Sequence, residues 1–143
     1  MANPQFIAPV VSWLVGVLQS ANLGTLAPFA DVKQSWTGVV INWPPAAVMP
    51  RSSGFDPEIV GASHSENLFT VKFGVNGMDP DQVTADAMSY MLAIDQAIEG
   101  AAWLPQFSRV FVQGHDYGPL YSHLKDGGFA KFPELHLLVE VYE

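Results

Sequence analysis

Apolar and polar positions along this chain follow two different periods, and the switches between them mark its elements. From Phe6 to Leu18 the segment "FIAPVVSWLVGVL" is apolar on nearly every side. Phe6, Val10, Trp13, Leu14, Val17 and Leu18 fall on one helical face, and Ile7, Val11 and Val15 widen it until little polar surface remains. A helix of this kind needs packing partners on more than one side. Asn3 followed by Pro4 is a capping pair, but Pro9 would remove a helical hydrogen bond and moves the expected start towards Ala8. Asn22 and Gly24 are expected to end the helix.

The period then changes. Residues 38–49 read as a strand broken at Pro44 and Pro45, which cannot donate to a ladder. In "NLFTVKFGVN" Phe69, Val71, Phe73 and Val75 alternate with Thr70, Lys72 and Gly74, the pattern of a half-buried strand. Asp79, Pro80 and Gln82 then form a helix start with a capping box. Val83, Ala87, Tyr90, Met91, Ile94 and Ile98 follow at helical spacing on one face. "SRVFVQG" at 108–114 is a short strand, and "KDGGF" at 125–129 is a turn before the last one. In the final stretch Leu135, Leu137, Val139 and Val141 share one face, with Glu134, His136, Leu138, Glu140 and Tyr142 on the other. These elements predict an α+β domain spanning 1–143. Its mainly antiparallel four-stranded sheet carries two helices on one face, in the order α-β-β-α-β-β.

Between the first two strands, residues 51–66 read as a long loop. They hold Gly54, Gly61, four serines and the acids Asp56, Glu58 and Glu66, against Arg51, with Phe55 and Ile59 as the large apolar residues. Neighbouring strands are usually joined by about 2–5 residues, so a loop of this length is expected to be functional or disordered.

Composition sharpens the picture of the surface. The chain is 49% hydrophobic and only 14% charged, where ordinary soluble domains carry roughly 25% charged residues. A small domain cannot hide so much apolar surface in its own core, which points to burial between subunits. The net charge is −8, and the basic residues Lys33, Arg51, Lys72, Arg109, Lys125 and Lys131 are scattered. That disfavours adhesion to the outside of DNA. No cysteine is present, which excludes disulfide frameworks, thiol catalysis and Cys-based zinc sites. No basic residue precedes Lys33, as a secretory signal would require, and the first apolar run is shorter than the ~20 residues of a membrane span.

Candidate chemistry is sparse. His115 and Asp116 in "GHDYG" resemble the adjacent pair of some metal-dependent phosphohydrolases, but His64, His123 and His136 show no helical ligand spacing with it. A turn is the expected role of that stretch. Asp81, Asp86, Asp95 and Glu99 lie off the apolar stripe of the second helix and are expected to be solvated. No phosphate cradle or nucleophile elbow occurs. Trp36, Trp43, Trp103, Tyr121 and Phe129 stand near element ends, where core plugs and interface anchors are both open readings. No catalytic, cofactor or metal residue is expected.

The succession of a nearly all-apolar helix, "WPPAAVMP", a long polar loop, the strand at 68–75, a second helix and the terminal "LHLLVEVYE" resembles the tail terminator (tail completion) proteins of long-tailed bacteriophages. The resemblance covers nearly the whole chain. It implies a ring, commonly of six subunits, at the head-proximal end of the virion tail and assembled in the host cytoplasm. Such a ring caps the tail tube, ends its polymerisation and meets a neck or head-completion protein. DNA passes through its channel without sequence-specific binding, and no membrane is involved. On this reading Val11, Val15, Leu138 and Tyr142 are candidate subunit contacts. Arg51, Phe55, Asp56, Glu58, Ile59 and Glu66 are candidates for reaching a neighbour, the tube or the lumen, where acidic residues would keep DNA sliding. The competing classes are a related head–tail connector or neck protein, and a small metal-dependent hydrolase or ligand-binding domain built around His115.

Overall fold

The terminal alternation is the spine of the molecule. In the computed structural model, which describes residues 4–36, 42–55, 64–122 and 127–142, it forms a strand paired on both edges within a five-stranded sheet. The elements in chain order are α1 (Pro4–Gln19), β1 (Asp31–Lys33), β2 (Pro45–Phe55), β3 (His64–Phe73), β4 (Val75–Gly77), α2 (Pro80–Gly100), β5 (Phe107–Asp116), β6 (Phe129–Lys131) and β7 (Glu134–Tyr142). The main sheet runs β1-β2-β3-β7-β5, and β4 pairs with β6 in a separate two-stranded sheet. All pairings are antiparallel except β1 with β2, which is parallel.

The expected four-stranded sheet and its α-β-β-α-β-β order are therefore overturned. The main sheet has five strands of mixed direction, a second sheet exists, and the order is α-β-β-β-β-α-β-β-β. The missed strands β1, β4 and β6 have three residues each, too few to display a period. The expected strand at 38–49 instead begins at Pro45, and residues 37–41 lie outside the described residues. Pro45 fits there because the first residue of a strand can do without an N–H.

The loop expected at 51–66 is shorter than predicted. Residues 51–55 continue β2, and 64–66 open β3. Their polar composition belongs to a satisfied ladder. Ser53 donates to Asn67 (2.7 Å), and Asn67 donates to Ser65 (3.0 Å) and to the Val139 carbonyl (3.3 Å). Asn67 and Ser65 are buried because these bonds replace water.

The inward face of β7 shares one core with Phe69, Val71 and Phe73 of β3 and with both helices. The α2 stripe packs as its spacing predicts, with Val83, Ala87, Tyr90, Met91, Ile94 and Ile98 all buried. Asp79 caps the helix by accepting from the Asp81 amide (3.0 Å). Gln82 does not close the capping box; it donates to Asp86 (2.8 Å) instead. The α1 helix begins at Pro4 and runs through Pro9. It is fixed to the far end of α2 by Trp13, which donates to the Ala102 carbonyl (2.9 Å) and meets Phe107 edge-on at 5.1 Å.

Gly74 ends the alternation of β3. A Cβ there would lie 2.9 Å from Pro45 Cγ and 3.0 Å from Trp43 Cζ3. Only a residue without a side chain lets the chain leave the main sheet at that crowded point and enter β4.

Candidate functional site

Alternation places every second residue of the sheet on the face that carries no helix. In register across β2, β3, β7 and β5, that reverse face holds the rows Met49–Thr70–His136–Gly114, Ser52–Leu68–Leu138–Phe111 and Gly54–Glu66–Glu140–Arg109. The middle row is an apolar strip ending in Phe111, which is 46% exposed. The outer rows are polar and mostly matched. Arg51 Nη1 lies 3.0 Å from His136 Nδ1, and Thr70 Oγ1 lies 3.4 Å from the same nitrogen. Arg109 is 3.7 Å from Glu140, with its guanidinium 5.1 Å from the Phe111 ring. Glu66 stands directly across from Glu140, a like-charge pairing that Arg109 offsets from one side. Below these rows Lys72 pairs in register with Glu134 and sits 4.9 Å over Trp36.

A second feature opens at the β5 margin. A cleft of about 430 Å³ lies between α2 and β5, lined by Ile98, Glu99, Trp103, Val110, Phe111 and Val112 together with the pair Asp95–His115. His115 Nε2 is 2.8 Å from Asp95 Oδ2. Asp95 was expected on a solvated face, but its side chain is only 20% exposed, and its other oxygen is buried without a hydrogen-bond partner among the described residues. His115 was expected in a turn; it is the penultimate residue of β5, and the turn follows at Gly118, with φ +67°. This pair ties α2 to β5. A carboxylate-oriented imidazole can hold or accept a proton, but among the described residues no hydroxyl or lysine bonds to it. No group of three or more His, Asp or Glu is gathered there or elsewhere among them. The cleft is mostly apolar and suits the packing of side chains.

The candidates named from sequence are scattered over these features. Val11 is buried in the chain's own core, and Val15 packs against it while staying partly exposed. The helix α1 that carries them packs against β1, β2 and α2. Leu138 and Tyr142 do lie together on the reverse face, half-buried and 42% exposed respectively. Arg51 and Glu66 are exposed on the same face, and Phe55 ends β2. Asp56, Glu58 and Ile59 lie outside the described residues, as does His123. Reasoning from sequence missed the Asp95–His115 pair, whose members sit on different elements, and the exposed Met88 and Leu92 on the outward side of α2. A spacing of four between two large apolar residues off the main stripe was the available signal for the latter.

Compared with known proteins, the chain matches no family model and no curated protein sequence.

Proposed function

We propose that this protein is a structural, ring-forming component of a long-tailed phage, acting as a tail terminator that caps the tail tube and presents a surface to the neck. The reading rests on the likeness of the chain's element succession to that class, and one observation carries it into three dimensions. Large apolar side chains remain exposed on both layers: Met88 and Leu92 on α2, Trp103 and Phe111 at the β5 margin, Tyr142 on the reverse face. Contiguous exposed apolar surface marks contact sites, and Met88 and Leu92 stand one turn apart on α2. A predominantly acidic chain suits a channel that DNA must pass without sticking.

Negative-stain images of the purified protein, followed by its addition to polymerising tail-tube protein, test the proposal. Rings with a central hole that bind tube ends and stop their growth are expected. Single particles of protomer size across the micromolar range, with no effect on tube length, would refute it.

A further inference from the structure

A ring built from one kind of subunit needs two different surfaces that fit each other, one on each side of the protomer. The sheet ends in two such sides. On one, β5 is the last strand, and among the described residues nothing pairs with its far edge. On the other, β1 covers only Pro45–Ala47 of β2, and among the described residues the rest of that strand is an edge. Unpaired edges of this length are a template for another strand, and soluble proteins usually blunt or cover them. We propose that the β5 edge of one subunit pairs with the 52–55 edge of β2 in the next, so that the sheet continues from subunit to subunit around the ring. This inference rests on the ring reading above and names the surface that closes it.

Direction, shape and charge agree. The intervening pairings are all antiparallel, so β2 and β5 run in opposite directions. A neighbour added by rotation about an axis along the strands presents its β2 antiparallel to β5, the simpler ladder. Pro50 has no N–H, and the register shifts between Pro50 and Ser52; pairing is thereby confined to the segment beyond the bulge. That segment is Ser52, Ser53, Gly54 and Phe55, small at the three positions that share rows with the large Phe111, Val110 and Arg109 of β5. In the unstaggered register Phe111 lies over Ser52 of the neighbour and extends the apolar strip into its Leu68. Arg109 crosses Gly54, where no side chain intervenes, towards the neighbour's Glu66. The interface thus supplies an opposite charge to an exposed carboxylate that inside its own protomer faces Glu140.

The absence of cysteine makes the test clean. Ser52→Cys is combined in one chain with Arg109→Cys, Phe111→Cys or Gln113→Cys, three choices that span small staggers. Within a protomer β2 and β5 are three strand spacings apart, about 14 Å, beyond the ~7 Å limit for a disulfide. Mild copper-catalysed oxidation of the assembled protein should give a ladder of covalent multimers from at least one double variant, and none from the single variants. Dimers from a β5 single variant alone would show two-fold β5–β5 pairing and overturn the inference. Rings in the microscope with no covalent ladder from any double variant would also overturn it while leaving the ring reading intact. Protomer-sized particles before oxidation would remove the ring reading and this inference together.

Discussion

On β7 the inward residues Leu135, Leu137, Val139 and Val141 are almost wholly buried, whereas Glu134, His136, Leu138 and Glu140 on the reverse are half-buried and Tyr142 is 42% exposed. One strand thus serves two surfaces of different kinds. The inward face is closed by the chain itself, in a single core with α1 and α2. The reverse face is closed only in part, by the Arg109–Glu140 ion pair and a strip of Leu68, Leu138 and Phe111 that stops at an open edge. Folding needs the first surface. On the proposed ring reading, the second meets a neighbouring subunit.

That contrast predicts a steep gradient of mutational effects. Val11→Glu should be the most damaging, because Val11 is buried in the protomer and a lone carboxylate there has no partner. Circular dichroism should show an unfolded chain; a folded, monomeric Val11→Glu protein would mean that α1 is an interface helix after all. Leu137→Ala and Leu138→Ala make the sharper comparison, since they remove the same group from opposite faces. The first should cost about 2–5 kcal/mol in denaturant unfolding, through lost burial and a cavity. The second should cost about 1 kcal/mol in the dissociated protein, with its larger effect on assembly. Equal costs would erase the distinction between the faces.

Tyr90 probes the rim of the inward side. Its hydroxyl donates to the Ala27 carbonyl and pins the chain after α1 to α2. Burial, with a smaller contribution from the charge of Asp86, raises its pKa above 10.0. The folded state therefore keeps this proton more tightly than the unfolded one. Its contribution is fully present below pH 10.0 and is lost as pH rises through the folded value. Tyr90→Phe should cost about 0.5–1.5 kcal/mol near neutral pH and flatten part of the stability loss above pH 10.0. Parallel alkaline unfolding curves for the two proteins would remove that role. The smallest effect belongs to the reverse face. Arg109→Ala breaks a pair whose arginine side chain is 55% exposed, and should change protomer stability by less than about 1 kcal/mol. A larger loss in thermal melts would show that this face contributes to folding as well.

Legibility in sequence followed the same divide. Where a face is fully closed by the chain, period alone revealed it: the α2 stripe and the alternation of Leu135, Leu137, Val139 and Val141 are both buried as their spacing implies. Three-residue strands left no period to read. Ser53 and Ser65 looked like loop residues; both bond to Asn67, which is itself held by the Val139 carbonyl from a distant part of the chain. The breadth of the α1 apolar face suggested a subunit contact at Val11, but β1, β2 and α2 already take up that side. The Asp95–His115 pair and the open β5 edge depend on which strand ends the sheet, and no local pattern encodes strand order.

The exchange of backbone amides for deuterium, followed peptide by peptide as protein concentration is raised, tests the division most directly. Amides of β7, bonded to β3 and β5 within the protomer, should be protected at every concentration. The alternate amides of 108–112 and 52–55 that point away from β7 and β3 should exchange quickly in dilute solution and become protected together as the protein assembles. Edge amides that exchange quickly at all concentrations, in particles shown to be assembled, would contradict an interface built on the open edges of the sheet.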